Sequence, residues 1–304
     1  MASHVFRLRS AVGIFFWICL APGALALDCV QRIHSNQRFE SAGYSHANLW
    51  RVATAGGQVN YIFGTIHLAD PRVTRLPRAV AEALSSSESF GMEVVLNSSA
   101  IATMSKAMHF VDGLSLEQFL EPELLARTAE LLDRYGVSTR VARTLKPWAA
   151  FTTFSLPPGQ ITVPLDLLLM LEAERRGKLV FGLETIEEQI RVFDTLSNVD
   201  QADLLRAAVC HYDELQADIE TLIKHYVAQD LGAVMQMTLR YSSPLQDRFL
   251  DVLLWQRNRR MADKMTSYLR HGGAFIAIGA LHLPGHGGVL DILSKRGYTI
   301  ESIN

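Results

Sequence analysis

The sequence predicts an α/β fold in which a central mixed β-sheet, built from two related halves at the chain ends, carries a large helical middle insertion. Three observations predict it. Two apolar runs rich in Ile and Phe stand near opposite ends, at residues 60–64 and 274–279, and each runs into Gly-x-x-His-Leu. Runs of this length and composition read as buried strands. Between them lies a long stretch of helical periodicity with Pro and capping signals. Four expected strands also end on a Gly followed closely by His or Glu, in the order His67, Glu93, Glu184, His282, as a duplicated half would give.

Residues 1–26 have the order of a secretory signal: Arg7 and Arg9, an apolar stretch from Ala11 to Leu20, then Ala24-Leu25-Ala26. The apolar stretch falls short of the roughly 20 residues of a membrane span, and no second candidate follows. The expectation is therefore a signal peptide at 1–26, a single domain at 27–304 and a periplasmic or secreted location, with no membrane span once the signal is removed. At 49% hydrophobic and 20% charged the chain is globular. A net charge of −2 gives no electrostatic case for nucleic acid. Cys29 and Cys210 could pair in an oxidising compartment, and no Cys-x-x-Cys site exists.

Residues 28–47 read as irregular. Leu49–Val52 and Val59–Phe63 flank Thr54-Ala55-Gly56-Gly57 as a hairpin whose second arm delivers His67. A helix is expected over Pro77–Leu84 and a strand over Ser89–Val95. Ser115 is expected to cap a short helix. Pro122 opens one with Leu124, Leu125, Leu131 and Leu132 on one face. Pro147 and Pro164 start others. Lys178–Glu184 reads as a short strand, and Thr185 with Glu188 as a capping box. Helix continues to about Arg270 with a break at Pro244. A strand over Ala274–Gly279, a helix over Val289–Lys295 and a strand over Tyr298–Ile303 close the pattern.

The chemistry-bearing set is Gly64-x-x-His67, Gly91-x-Glu93, Gly182-x-Glu184 and Gly279-x-x-His282. In open α/β sheets, ligands bind at the carboxyl ends of the strands. Two imidazoles with one or two carboxylates there suit Zn, Mn, Co or Fe(II). Such an ion lowers the pKa of a bound water, and a carboxylate outside its shell can act as general base. The blander alternatives are hydrogen-bonded structural histidines, a surface carboxylate at Glu93, and a Glu184 that favours a helix dipole. Arg257-Asn258-Arg259-Arg260 reads either as a solvated basic face or as a source of one guanidinium that grips a carboxylate. His286, in a Gly-rich loop, is a further candidate; His211, His225 and His271 read as ordinary, and Gly43-Tyr44-Ser45-His46 follows no apolar run.

These residues resemble the TraB/GumN family, which is related to the Tiki metalloproteases. The resemblance rests on Leu49-Trp50-Arg51-Val52, Tyr61 to His67, Leu145-Lys146-Pro147-Trp148, Gly182 to Gln189, Arg257-Asn258 and Gly279 to Gly285, in that order over nearly all of 27–304. It implies a fold of the erythromycin-esterase/ChaN-like kind with two related halves. It also implies a metal-dependent hydrolase, metalloprotease-like, whose divalent ion (Zn, Mn or Co) is held by His67, Glu93 and His282, with Glu184 and Arg257 in support. The substrate would be a peptide or a small molecule. The chain departs from the family pattern at His286, where an acidic residue is common. The alternative reading is a haem- or ligand-binding or regulatory module without catalysis, since ChaN-like relatives bind haem. The absence of Cys-x-x-Cys-His excludes covalent haem of that type.

Overall fold

In the computed structural model, which describes residues 34–35, 39–40, 43–111, 113–159 and 163–303, the expected hairpin is formed. β1 (Leu49–Ala53) pairs antiparallel with β2 (Val59–Thr65), from Leu49↔Phe63 to Ala53↔Val59. The turn closes with the Gly57 N–H on the Thr54 carbonyl at 2.9 Å, and Gly57 adopts φ +85°, which a side chain would oppose. The expected signal peptide at 1–26 and Cys29 lie outside the described residues.

Four further strands complete a mixed sheet: β3 (Ser89–Met92), β4 (Leu179–Gly182), β5 (Ala274–Gly279) and β6 (Thr299–Ile303), in the order β4-β3-β5-β2-β1-β6. β4, β3, β5 and β2 run parallel to one another, while β1 runs antiparallel to both β2 and β6. β5 is buried along its whole length, which is why it reads Ala-Phe-Ile-Ala-Ile-Gly without alternation. Phe275 at its centre lies 6.1 Å from Phe63 on one side and 6.1 Å from Phe90 on the other. The two runs that read alike are thus neighbours, in the register Gly64↔Ile278 and Thr65↔Gly279.

The middle of the chain is helical, and the buried side chains of sheet and helices form one apolar cluster. Pro122 and Pro147 start helices Pro122–Asp133 and Pro147–Phe154, and Pro164 directly precedes helix Leu165–Arg175. Trp148 stacks on Phe193 at 4.4 Å to join the first half of the insertion to helix Ile186–Asp194. Thr185 and Glu188 make the expected capping box on that helix, at 2.8 and 3.2 Å. Pro244 starts a helix, and Asp251–Trp255 is a π-turn that leads directly into helix Gln256–His271. Among the described residues, no helix is long and apolar enough to cross a membrane.

Two details depart from the sequence reading. Ser115 precedes a 3₁₀ turn, Leu116–Gln118, and its side chain makes no capping bond; the Leu116 N–H goes instead to the Arg143 carbonyl at 2.9 Å. The strands that carry the glutamates also stop early, at Met92 and Gly182. Glu93 and Glu184 therefore sit in the bends past the strand ends, joined by the Glu184 N–H on the Glu93 carbonyl at 2.7 Å.

Candidate active site

The strand order fixes the site. Along the carboxyl edge of β4, β3, β5 and β2 the sequence places Glu184, Glu93, His282 and His67. Parallel strands about 4.8 Å apart bring residues from remote parts of the chain into one row.

At its centre is Arg257, fully buried on helix Gln256–His271. Its Nε donates to Glu184 Oε1 and Oε2 at 3.0 and 2.9 Å, and Nη2 donates to Glu184 Oε2 at 2.6 Å. The same Nη2 reaches Glu93 Oε2 at 2.5 Å. Nη1 donates to the Leu253 carbonyl at 3.3 Å and to His282 Nε2 at 3.2 Å. Gln189 Nε2 spans the two carboxylates, 3.2 Å from Glu93 and 3.3 Å from Glu184. Neither glutamate is a surface carboxylate: both are buried. Nor is the whole Arg257 segment a solvated face: Arg257 and Asn258 are buried, while Arg259 is exposed and Arg260 half-buried. Burial opposes the guanidinium charge, but Glu93 and Glu184 outweigh it and raise the Arg257 pKa, so it stays charged.

Burial alone would push the Glu93 carboxyl up. Arg257, the neighbouring imidazoles and the Gly279 N–H, which donates to Oε1 at 2.7 Å, hold it down at about 2. Gly279 leaves this corner open: a Cβ there would lie 3.1 Å from Glu93 Oε1 and 3.4 Å from His282 Cδ2.

His282 is buried, with Nδ1 2.6 Å from Asn258 Oδ1. Because Nε2 accepts from Arg257, the ring proton lies on Nδ1 and is donated to Asn258. Burial and the Arg257 charge push its pKa to about 3, so this imidazole is neutral. His67 is 13% exposed at the side chain and pairs Nδ1 with Asp166 Oδ2 at 2.7 Å. Burial works to lower its pKa, yet Asp166 and, more weakly, Glu93 raise it above the ordinary value. Asp166 comes from the first turn of helix Leu165–Arg175, and its Oδ1 accepts the Thr65 hydroxyl. Tyr226, from helix Tyr212–Val227, holds the Gly64 carbonyl at 2.8 Å.

His286 stands apart, exposed, 3.7 Å from Glu40. Sequence reasoning named His67, Glu93, Glu184, Arg257 and His282, and the structure gathers them at one edge. It missed Asp166, Gln189 and the role of Asn258. The signal for Arg257 and Asn258 is periodic: they fall on a buried stripe that runs from Leu254 of the preceding π-turn to Met261, Met265 and Leu269 of their own helix. Nothing local marks Asp166, which reads as an ordinary first-turn carboxylate.

Among the described residues, no group of three or more His, Cys, Asp or Glu side chains is placed to hold a metal ion. The donor chemistry nonetheless suits one. His282 Nε2 and Glu93 Oε1 lie 3.7 Å apart, both deprotonated. Bonds near 2.0–2.2 Å put two ligands of one ion about 3–3.5 Å from each other. Two buried carboxylates, Glu93 and Glu184, share one fully buried guanidinium, Arg260 stands 3.9 Å from Glu184, and the third buried carboxylate, Asp166, pairs with His67.

A model described as the TraB/PrgY/gumN family matches residues 48–302. Metalloprotease TIKI1 of Danio rerio is 27% identical over 298 residues, covering 80% of this chain and 60% of that protein. Metalloprotease TIKI2 of Danio rerio is 26% identical over 299 residues, covering 80% and 58%. Metalloprotease TIKI1 of Homo sapiens is 26% identical over 302 residues, covering 80% and 59%. The chain spans about three-fifths of the length of these relatives. No solved structure matches it.

Proposed function

Because the chain belongs to the TraB/PrgY/gumN family, we propose that the Glu93–Arg257–His282 cluster is the active site of an exported, metal-dependent hydrolase that cleaves peptides. One observation carries the reading. The donor pair His282 Nε2 and Glu93 Oε1, 3.7 Å apart, sits at the strand edge inside a buried cluster. The names of the relatives, all metalloproteases, supply the reaction class. Export is supported by the residue order at 1–26 and by Cys210, which is disulfide-bonded as cysteines of oxidising compartments are.

His282 and Glu93 would hold the divalent ion, joined by His67. Bound there, the ion supplies a water of lowered pKa and polarises a carbonyl. The chain's own groups set the conditions. Arg257 and the Gly279 N–H keep Glu93 ionised. Asn258 takes the Nδ1 proton of His282 and so puts the lone pair on Nε2, where the ion would have to displace the hydrogen bond from Arg257 Nη1. His67, whose Nδ1 is held by Asp166, would complete the ligand set through Nε2. Glu184 is committed to Arg257 through both oxygens, which makes it the partner that orients the guanidinium rather than a base.

The test is metal stoichiometry beside thermal unfolding for His67→Ala, Glu93→Gln, Glu184→Gln and His282→Ala. The two His variants and Glu93→Gln should lose the ion and keep the fold, because Ile62, Phe63, Phe275, Ile276 and Ile278 still anchor β2 and β5. Glu184→Gln should keep the ion and lose stability. Unchanged stoichiometry in both His variants removes the metal-dependent reading, and a visible absorption band in the purified protein favours haem instead. N-terminal sequencing of native protein should begin near Leu27; a start at Met1 ends the export proposal.

A further inference from the structure

Helix Leu165–Arg175 is docked onto the first Gly-x-x-His segment at three successive points. The Leu165 N–H donates to the Leu68 carbonyl at 3.2 Å. Asp166 Oδ1 accepts the Thr65 hydroxyl, and Asp166 Oδ2 meets His67 Nδ1 at 2.7 Å, across 99 positions of sequence. A first-turn Asp that merely complemented the helix dipole would face water. Asp166 is 8% exposed and both of its oxygens are taken by β2 and the bend after it.

A carboxylate only accepts, so the proton between the two lies on His67 Nδ1 and the neutral ring carries its lone pair on Nε2. The second motif uses the same polarity: Asn258 Oδ1 takes the Nδ1 proton of His282, and Nε2 accepts from Arg257. Two different helices thus impose one tautomer on two imidazoles at neighbouring strand ends. Histidines that serve metal sites have their second nitrogen fixed in this way, by an oxygen outside the coordination shell.

We propose that Asp166 is a positioning residue for the candidate active site, fixing the orientation and tautomer of His67 so that Nε2 is the nitrogen presented for coordination. This rests on the metal-dependent reading above, and it requires a carboxylate: at His282 the donation from Arg257 to Nε2 settles the tautomer that Asn258 accepts from, whereas an amide at position 166 can turn either its oxygen or its N–H₂ toward the ring, and the second choice reverses the tautomer.

Two measurements on the full chain separate the proposal from that reading. Long-range ¹H–¹⁵N NMR of metal-free protein at alkaline pH, where the ring is neutral, reports which nitrogen bears the proton. The wild type should show His67 as the Nδ1–H form, and Asp166→Asn a mixture or the Nε2–H form. Titration with Co(II), followed by its visible absorption, should show affinity falling ~10- to 100-fold in Asp166→Asn. Asp166→Glu should recover part of the affinity and the Nδ1–H form. Thermal unfolding of both variants checks that the fold persists, and should Asp166→Asn not fold, Asp166→Glu carries the test. An unchanged tautomer in Asp166→Asn overturns the proposal, as does Co(II) affinity that stays at the wild-type value. A wild type that binds no Co(II) ends the metal-dependent reading, and the NMR result then decides the positioning of His67 by itself.

Discussion

The Gly-x-x-His segment after β2 hands its imidazole to a carboxylate, Asp166, whereas the one after β5 hands its imidazole to an amide, Asn258. Both bonds go to Nδ1, both rings lie at the ends of adjacent parallel strands, and burial pushes both pKa values down. The outcomes are opposite. At His67 the carboxylate outweighs burial and the proton is held more tightly than usual. At His282 the amide offers no charge, the Arg257 cation adds to burial, and the pKa falls to about 3. The motif therefore delivers a ring to a place, and the helix that meets it decides what the ring does there. The two glycines differ in the same way. A Cβ on Gly64 would strike packing, at 2.8 Å from Leu283 Cδ1 and 3.2 Å from Ala280 Cα; a Cβ on Gly279 would press on Glu93 and His282.

The sharpest way to break this contrast is to remove Arg257, on which only the His282 side depends for a hydrogen bond. Arg257→Met leaves Glu93 and Glu184 buried without their counter-charge and should cost roughly 3–5 kcal/mol in denaturant unfolding, while the His67–Asp166 pair keeps its tautomer. A loss under about 1 kcal/mol would mean that the glutamates are not ionised as described. Asn258→Ala is the next largest: it strands the Nδ1–H of His282 and the Gly287 carbonyl, which Asn258 Nδ2 holds at 2.9 Å. About 1–3 kcal/mol should be lost, with no change in the ¹⁵N signals of His67; a disturbed His67 would show the halves to be coupled.

The glycine pair comes third. Gly64→Ala should destabilise by roughly 1–3 kcal/mol through overpacking, with Co(II) binding retained. Gly279→Ala should cost less stability and more Co(II) affinity, and the reverse order would contradict the distinction. The smallest effect is in the pH dependence. A histidine with a raised folded pKa contributes stability below its unfolded value near 6.5, and loses that contribution as pH rises through the folded pKa. A histidine with a depressed pKa acts on the other side: the unfolded chain takes up its proton first, so stability falls as pH drops from about 6.5 toward 3. The alkaline limb of the stability profile therefore belongs to His67 and should flatten in Asp166→Asn, leaving the acid limb in place.

The parts of this molecule that were legible in the sequence are those whose signal is local. The Ile and Phe runs gave β2 and β5, since strands buried on both faces leave no choice of residue type. Thr185 and Glu188 announced a helix start, and Pro122 and Pro147 two more. Glu93 and Glu184 were found through their strands, although both strands end sooner than their apolar stretches suggest. Arg257 stood between two readings because a run of basic residues hides the apolar stripe on which one of them lies. Asp166 was invisible for a different reason: its meaning is a contact with His67 made by tertiary docking, and its immediate neighbours, Leu165 and Leu167, carry no trace of it.

The place of β5 in the sheet bears on how such a chain is made. β2 and β3 both precede β5 in the chain, yet neither pairs with the other, because the slot between them belongs to residues 274–279. Asn60 on β2 waits for the N–H of Ala274, which lies 214 positions downstream. Until those residues arrive, two apolar strand edges have no partner, and the entropy of closing that long loop has still to be met. Exposed edges of this kind invite association and engage chaperones. A sheet whose keystone strand follows the strand it pairs with by 214 positions delays its own completion until that strand is made.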